Sequence, residues 1–160
     1  MGKFNFNQSN FEKIKVEAEE LYKTLGEVYC PYFLTKIVFN AKGLRHLKFK
    51  SDQQARPQKD QYPRLKLLHL APEVLKKSST LQGIKKEQRL ETRKINSRWE
   101  KISKYVTYYE FIAVLNNIRI KVILKEVGGG EIYFWSVIPF WGIDKEMRRR
   151  ILHSGDPEYD

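Results

Sequence analysis

One stretch limits the fold of this chain more than any other. Between Tyr105 and Pro139 it reads "YVTYYEFIAVLNNIRIKVILKEVGGGEIYFWSVIP". Three runs rich in β-branched and aromatic residues are separated by two strong turn signals. Asn116–Asn117 suits a two-residue type I′ turn, whose two central residues need positive φ. The triple glycine Gly128–Gly130 makes the next reversal. Pro139 closes the third run, because proline has no N–H for the ladder. Two consecutive hairpins give an antiparallel meander.

A two-residue Asn-Asn loop also sets the register. Leu115 then opposes Ile118, and the pairs Ala113–Ile120, Phe111–Val122 and Tyr109–Leu124 follow. That face is nearly all apolar and reads as the core face. The other face carries Tyr108, Glu110, Ile112 and Val114 against Lys125, Ile123, Lys121 and Arg119. A three-residue glycine turn adds Tyr133 and Trp135 to this second face. Cations neutralise phosphates and flat rings stack on unpaired bases, so a face of this composition suits RNA. Long Lys and Arg stems on an outer sheet face are also simply well solvated. Strict alternation places Ser136 on the apolar face with Phe134 and Ile138. A β-bulge near the glycines would turn it the other way.

Upstream, Ser9 and Glu12 form a capping-box pattern. Phe11, Ile14, Ala18, Leu21 and Leu25 then share one face of a helix over Asn10–Leu25, stopped by Gly26. "FLTKIVF" (Phe33–Phe39) reads as a strand. Asn40 reads as the N-cap of a short helix in "AKGLRHLKFK". Ser51–Pro63 is polar and reads as a long loop. "RLKLLHLAPEVLKK" has helical spacing, with Pro72 starting a second piece or kinking the first. Lys76–Lys104 holds ten Lys/Arg against three Glu, and reads as a mobile basic arm or exposed helix. The expected fold is α+β: an antiparallel sheet of about four strands with helices packed on one face. The expected organisation is an N-terminal helical extension over 1–32, a domain over 33–139 with a basic insertion at about 76–104, and a tail over 140–160.

Charge narrows the function. The chain of 160 residues has 30 Lys/Arg against 19 Asp/Glu, a net charge of +11. A domain this basic attracts polyanions. Cys30 is the only cysteine, so no intramolecular disulfide is possible and a reducing, cytoplasmic compartment fits. It lies between aromatics and reads as a buried thiol. No run is long enough to span a bilayer, so no membrane is expected.

The sequence lacks CxxC pairs, HExxH and acid clusters with metal spacing, so neither metal nor cofactor is expected. What remains is acid–base chemistry. RNA supplies its own nucleophile, the 2′-hydroxyl, and its cleavage needs one proton-transfer group and a few cations. His46, flanked by Arg45 and Lys48, suits proton transfer. His69, in an apolar run, reads as core, and His153 as solvent-exposed.

"KIVFNAKGLRHLKFK", Arg56–Pro57, "YPRLKLLHLAPEVL" and "YYEFIAVLNNIRIKVILKEVGGGEIYFWSVIP" resemble a group of phage and bacterial proteins assigned to the barnase–EndoU–colicin E5/D–RelE superfamily of ribonucleases. The resemblance covers about residues 33–139. It implies a metal-independent RNA-cleaving site on the sheet face opposite the helices, often in a toxin acting on tRNA or mRNA. It points to His46, Arg56, Arg64, Lys121, Lys125 and Ser136. His46 would be the acid or base. Arg56, Lys121 and Lys125 would hold the phosphate, and Ser136 would hydrogen-bond it or orient His46. Arg45, Arg64, Arg119, Tyr133 and Trp135 complete the expected substrate contacts. An acidic antitoxin or immunity protein is the expected protein partner. Two alternatives stay open: an RNA-binding module without catalysis, and a protein that docks an acidic partner through its helix and basic arm.

Overall fold

A computed structural model of the chain describes residues 8–140, 143–144, 149–150 and 155–160. In chain order the elements are α1 (Gln8–Leu25), β1 (Glu27–Cys30), β2 (Thr35–Val38), α2 (Ala41–Lys48), β3 (Phe49–Ser51) and β4 (Gln54–Ala55). They continue with α3 (Gln58–Leu67), a 3-10 turn (Leu68–Leu70), α4 (Ala71–Lys77), β5 (Gly83–Ile95) and β6 (Arg98–Leu115). β7 (Ile118–Val127), β8 (Tyr133–Pro139), β9 (Ile143–Asp144) and β10 (Arg149–Arg150) complete the order.

The fold is mixed α+β, built on a large, mostly antiparallel sheet. Six strands run in the order β1-β2-β8-β7-β6-β5, where about four were expected. The meander forms in the expected register, from Leu115–Ile118 to Tyr109–Leu124. Asn116 and Asn117 both have positive φ, 51° and 62°, as a type I′ turn requires. Phe111, Ile120, Val122 and Leu124 are buried on the core face with Phe134 and Val137.

The two extra strands lay in segments read otherwise. β1 has only four residues, of which Val28 and Cys30 are buried. It pairs with β2 across a short connection. Burial pushes the Cys30 thiol pKa up, as fits an inert core group. β5 is the larger correction. Gly83–Ile95 pairs residue for residue with β6, from Gly83–Glu110 to Ile95–Arg98. The basic segment is therefore the foot and ribbon of a long hairpin, with Asn96 and Ser97 at positive φ in its turn. β7 pairs with β6 only from Val106 onward, so the hairpin beyond that point is a two-stranded ribbon. Exposed Leu90, Trp99 and Tyr105 lie on it.

Helices α1, α3 and α4 supply the other side of the core. Phe11, Ala18 and Tyr22 of α1 are buried with Leu65, Leu68, Val74 and Leu75. The N-terminal helix is thus built into the same core as the sheet, and is no appendage to it. The polar run Ser51–Pro63 is only partly loop. It holds a short hairpin, β3 with β4, and α3 already starts at Gln58 with Pro63 inside it. Pro72 sits at the start of α4, where its missing N–H costs nothing. Among the described residues no helix is long and apolar enough to cross a membrane.

The feature that positions the site is the edge of β8. β2 pairs with β8 in parallel at one point, Val38–Tyr133. Beyond it, α2 and α3 pack against β8 in place of a strand. An edge covered by helices cannot recruit another strand. It also brings side chains from α2, α3 and the α3 entry to the end of the sheet.

Candidate functional site

β8 carries a bulge. Leu124 pairs with Phe134 and Ile123 with Ser136, so Trp135 is one residue too many for the ladder. Strict alternation would have put Ser136 into the apolar core. The extra residue shifts the parity, and Trp135 and Ser136 both turn to the face opposite the core. Ser136 is fully buried there, and its Oγ donates to the main-chain oxygen of Asp160 at 2.8 Å. The indole Nε1 of Trp135 donates to the Pro157 carbonyl at 3.0 Å.

Three buried cationic or titratable groups meet these two residues. Arg64, on α3, donates from Nε and Nη2 to the same Asp160 oxygen at 3.1 and 3.0 Å, and from Nη1 to the Asp60 carbonyl. One oxygen thus receives a guanidinium fork and a hydroxyl. Arg56 donates from Nε to the His46 carbonyl at 2.9 Å, and from Nη2 to the Tyr159 carbonyl and to His46 Nε2 at 2.9 and 3.1 Å. A guanidinium can only donate. His46 Nε2 therefore accepts, and a neutral imidazole carries its proton on Nδ1. The His46 ring stacks on Trp135 at 3.9 Å between centroids. The Lys125 ammonium lies 4.0 Å from the centre of the same indole.

The electrostatics follow from this crowding. Burial pushes the His46 pKa down to about 2, reinforced by Arg56, Arg64 and Lys125. Burial lowers Arg56 to about 10 and Arg64 to about 9. Two guanidiniums taken out of water demand anionic or strongly polar partners, because an uncompensated buried charge is costly. Perturbed groups gathered at a cleft make this cluster the candidate site.

A cleft of about 670 Å3 opens beside them, with Lys42, Arg45, Lys50, Lys104 and Lys125 among its lining residues. The occupant of this region is the chain itself. Residues 155–160, "GDPEYD", lie against the cluster as a turn in which the Tyr159 and Asp160 amides donate to the Asp156 carbonyl. Asp156 pairs with Lys85 at 3.4 Å. Glu158 pairs with Lys125 at 3.3 Å and Arg89 at 3.5 Å. Asp160 is 1% exposed.

The structure therefore brings together His46, Arg56, Arg64, Lys125, Trp135 and Ser136. Arg45 is at the cleft margin, its guanidinium 4.5 Å from the Phe49 ring centre and donating to the Asp52 carbonyl. Tyr133 lines the cleft but is buried. It and Trp135 are not the exposed stacking platforms that the sequence suggests, because the Trp135 ring is already in contact with His46 and Lys125. Lys121 is on the same sheet face, yet its buried ammonium is paired with Glu110 at 3.4 Å and sits over the Phe140 ring. Arg119 is exposed beside the Asn116–Asn117 turn. Six residue steps along β7, about 20 Å, separate it from Lys125. His69 is exposed, not core, with Nδ1 against the Lys66 carbonyl. His153 is outside the described residues.

Sequence reasoning missed Lys85, Arg89 and the acidic segment. A signal was present: the last six residues hold three acids and no Lys or Arg, in a chain of net charge +11. Among the described residues no group of three or more His, Cys, Asp or Glu side chains is placed to hold a metal ion. The class defined by fold and site is an α+β domain with a buried arginine–histidine–serine cluster on the open face of its sheet. Compared with known proteins, the chain matches no family model, no curated protein and no solved structure.

Proposed function

We propose that this chain is a metal-independent endoribonuclease, acting on tRNA or mRNA as a toxin of the barnase–EndoU–colicin E5/D–RelE type. The observation that carries the reading is the oxygen held by Arg64 and Ser136, with Arg56 bridging the adjacent Tyr159 carbonyl to His46. A non-bridging phosphate oxygen in that place receives the same three donors. Such preorganised donors stabilise the negative charge that grows on the non-bridging oxygens when the 2′-oxygen attacks phosphorus. Arg56 adds a second guanidinium and Lys125 a further positive charge. The reaction forms a bond from the 2′-oxygen to phosphorus and breaks the bond to the 5′-oxygen. The 2′-proton leaves to a base, and the 5′-oxygen takes a proton. His46 is the group for proton transfer. Its low pKa stems first from burial, so water admitted to the cleft moves it back toward its ordinary range near 6.5.

A second reading, RNA binding without cleavage, is favoured by one observation: His46 Nε2 is already engaged by Arg56 in a dry, neutral setting. One experiment separates the two. Purified protein is incubated with RNA in EDTA, and the product ends are identified. Products ending in 2′,3′-cyclic phosphate, lost in His46→Gln and Ser136→Ala, support the nuclease. Cleavage at full rate by both variants sinks the site assignment, and tight RNA binding without cleavage selects the second reading. In bacteria, regulated expression should arrest growth, and His46→Gln should relieve the arrest.

A further inference from the structure

The acidic segment 155–160 matches the cluster too closely to be mere filler. It presents three anionic or oxygen stations to three sets of donors. Asp156 meets Lys85, Glu158 meets Lys125 and Arg89, and the Asp160 oxygen meets Arg64 and Ser136, while Glu87 of β5 also pairs with Lys85 and Arg89. Between the second and third stations stands a flat ring. Tyr159 is 41% exposed, lines the cleft, and has the Lys50 ammonium 5.7 Å from its centre. The order anion, ring, oxygen acceptor follows that of phosphate, base, phosphate in a nucleic-acid strand. Protein acids alone would not call for the ring. The donor set suits phosphate as well, since an arginine fork with a hydroxyl beside it is a common way to hold a phosphate oxygen.

We propose that residues 155–160 are an intramolecular mimic of a single-stranded RNA substrate, and that the three stations mark three phosphate subsites: Arg64 with Ser136, Lys125 with Arg89, and Lys85. This rests on the reading of the cleft as an RNA site and extends it. Two of these cations, Lys85 and Arg89, come from the foot of the β5–β6 hairpin, so the hairpin is part of the substrate path. RNA reaches the buried cluster only by displacing the segment. The resting chain therefore holds its own site closed, and the segment competes with RNA for the same donors.

The test uses the full chain and a fluorescein-labelled single-stranded RNA, with affinity read by anisotropy at low salt. Asp156→Asn with Glu158→Gln removes two stations while leaving the backbone turn. Glu17→Gln with Glu20→Gln, on the exposed side of α1, changes the net charge equally at a distance from the cleft. The expected result is that the first pair tightens RNA binding about tenfold, as loss of two competing ion-pair stations implies, while the second stays within about twofold. Equal gains in both pairs, no gain in the first, or no RNA binding by any of the three chains overturns the proposal. So does a gain for poly-glutamate with none for RNA, which would assign the stations to an acidic protein. Cleavage is scored separately. A gain in RNA affinity without cleavage upholds the mimic and sinks the nuclease, whereas unchanged affinity with cleavage does the reverse.

Discussion

Acidification should destabilise this protein through one residue, His46. Its imidazole is 4% exposed and faces Arg56, Arg64, Lys125 and the Trp135 ring. Its pKa is about 2 in the folded chain and near 6.5 in an unfolded one. The folded value is the lower, so below pH 6.5 the unfolded chain binds a proton that the native chain refuses. Stability therefore falls as pH drops through 6.5, by about 1.4 kcal/mol per unit, and is fully present above it. From about pH 7.5 to about pH 4.5 the loss from this residue alone is about 3 kcal/mol. The perturbation is His46→Gln, whose amide oxygen can still accept from Arg56 and does not titrate. Urea unfolding is followed by tryptophan fluorescence at both pH values for both chains. The carboxylates are common to the two, so their contributions cancel in the difference. Wild type should lose about 2–3 kcal/mol more than the variant. Parallel losses, within about 0.5 kcal/mol, would refute the reasoning. They would mean that the cluster opens and hydrates the ring before the rest unfolds.

Two further outcomes are expected. Gly43→Ala should lower stability by at least about 2 kcal/mol, read as a fall in Tm of about 5 °C. A Cβ there collides with the Phe134 carbonyl and the Tyr22 hydroxyl, where α2 crosses β8; an unchanged Tm would contradict that packing. Lys121→Met should cost about 2 kcal/mol in urea unfolding, because it strands the partly buried Glu110 carboxylate. It should leave RNA cleavage by the folded chain intact, and a loss of cleavage at full stability would return Lys121 to the site.

The parts of the fold legible in the sequence are those where local chemistry and global packing agree. The Asn116–Asn117 turn fixes the β6–β7 register with no help from the rest of the chain, and every pair expected from it forms. Gln8–Leu25 carries a helical stripe that finds a core. β5 was hidden because its half-buried face carries Lys85, Glu87 and Arg89 and no apolar alternation, so its many cations read as an arm. β1 is too short to show a period. His69 has apolar neighbours, yet it falls on the outward side of a single 3-10 turn.

For the site, residue type was legible and placement was not. His46, Arg56, Arg64, Lys125, Trp135 and Ser136 were all named from the sequence, and they lie together. What brings them together is the covered edge of β8 and its bulge, neither of which has a local sequence mark. Arg119 is expected at the site because it shares a sheet face with Lys125, and Lys121 for that reason and from the resemblance. A shared face does not say toward which neighbour a long side chain turns.

The bulge also makes one part of the site separable from the rest. Phe134 stays opposite Leu124, and Ser136 opposite Ile123, on either side of Trp135. Deleting Trp135 straightens the strand without moving those partners. The serine keeps its aim, and the histidine loses the ring it leans on. One codon therefore carries the aromatic wall of the cleft. A lineage with this architecture can gain or lose that wall by a single in-frame insertion or deletion, while every other strand pairing is inherited unchanged.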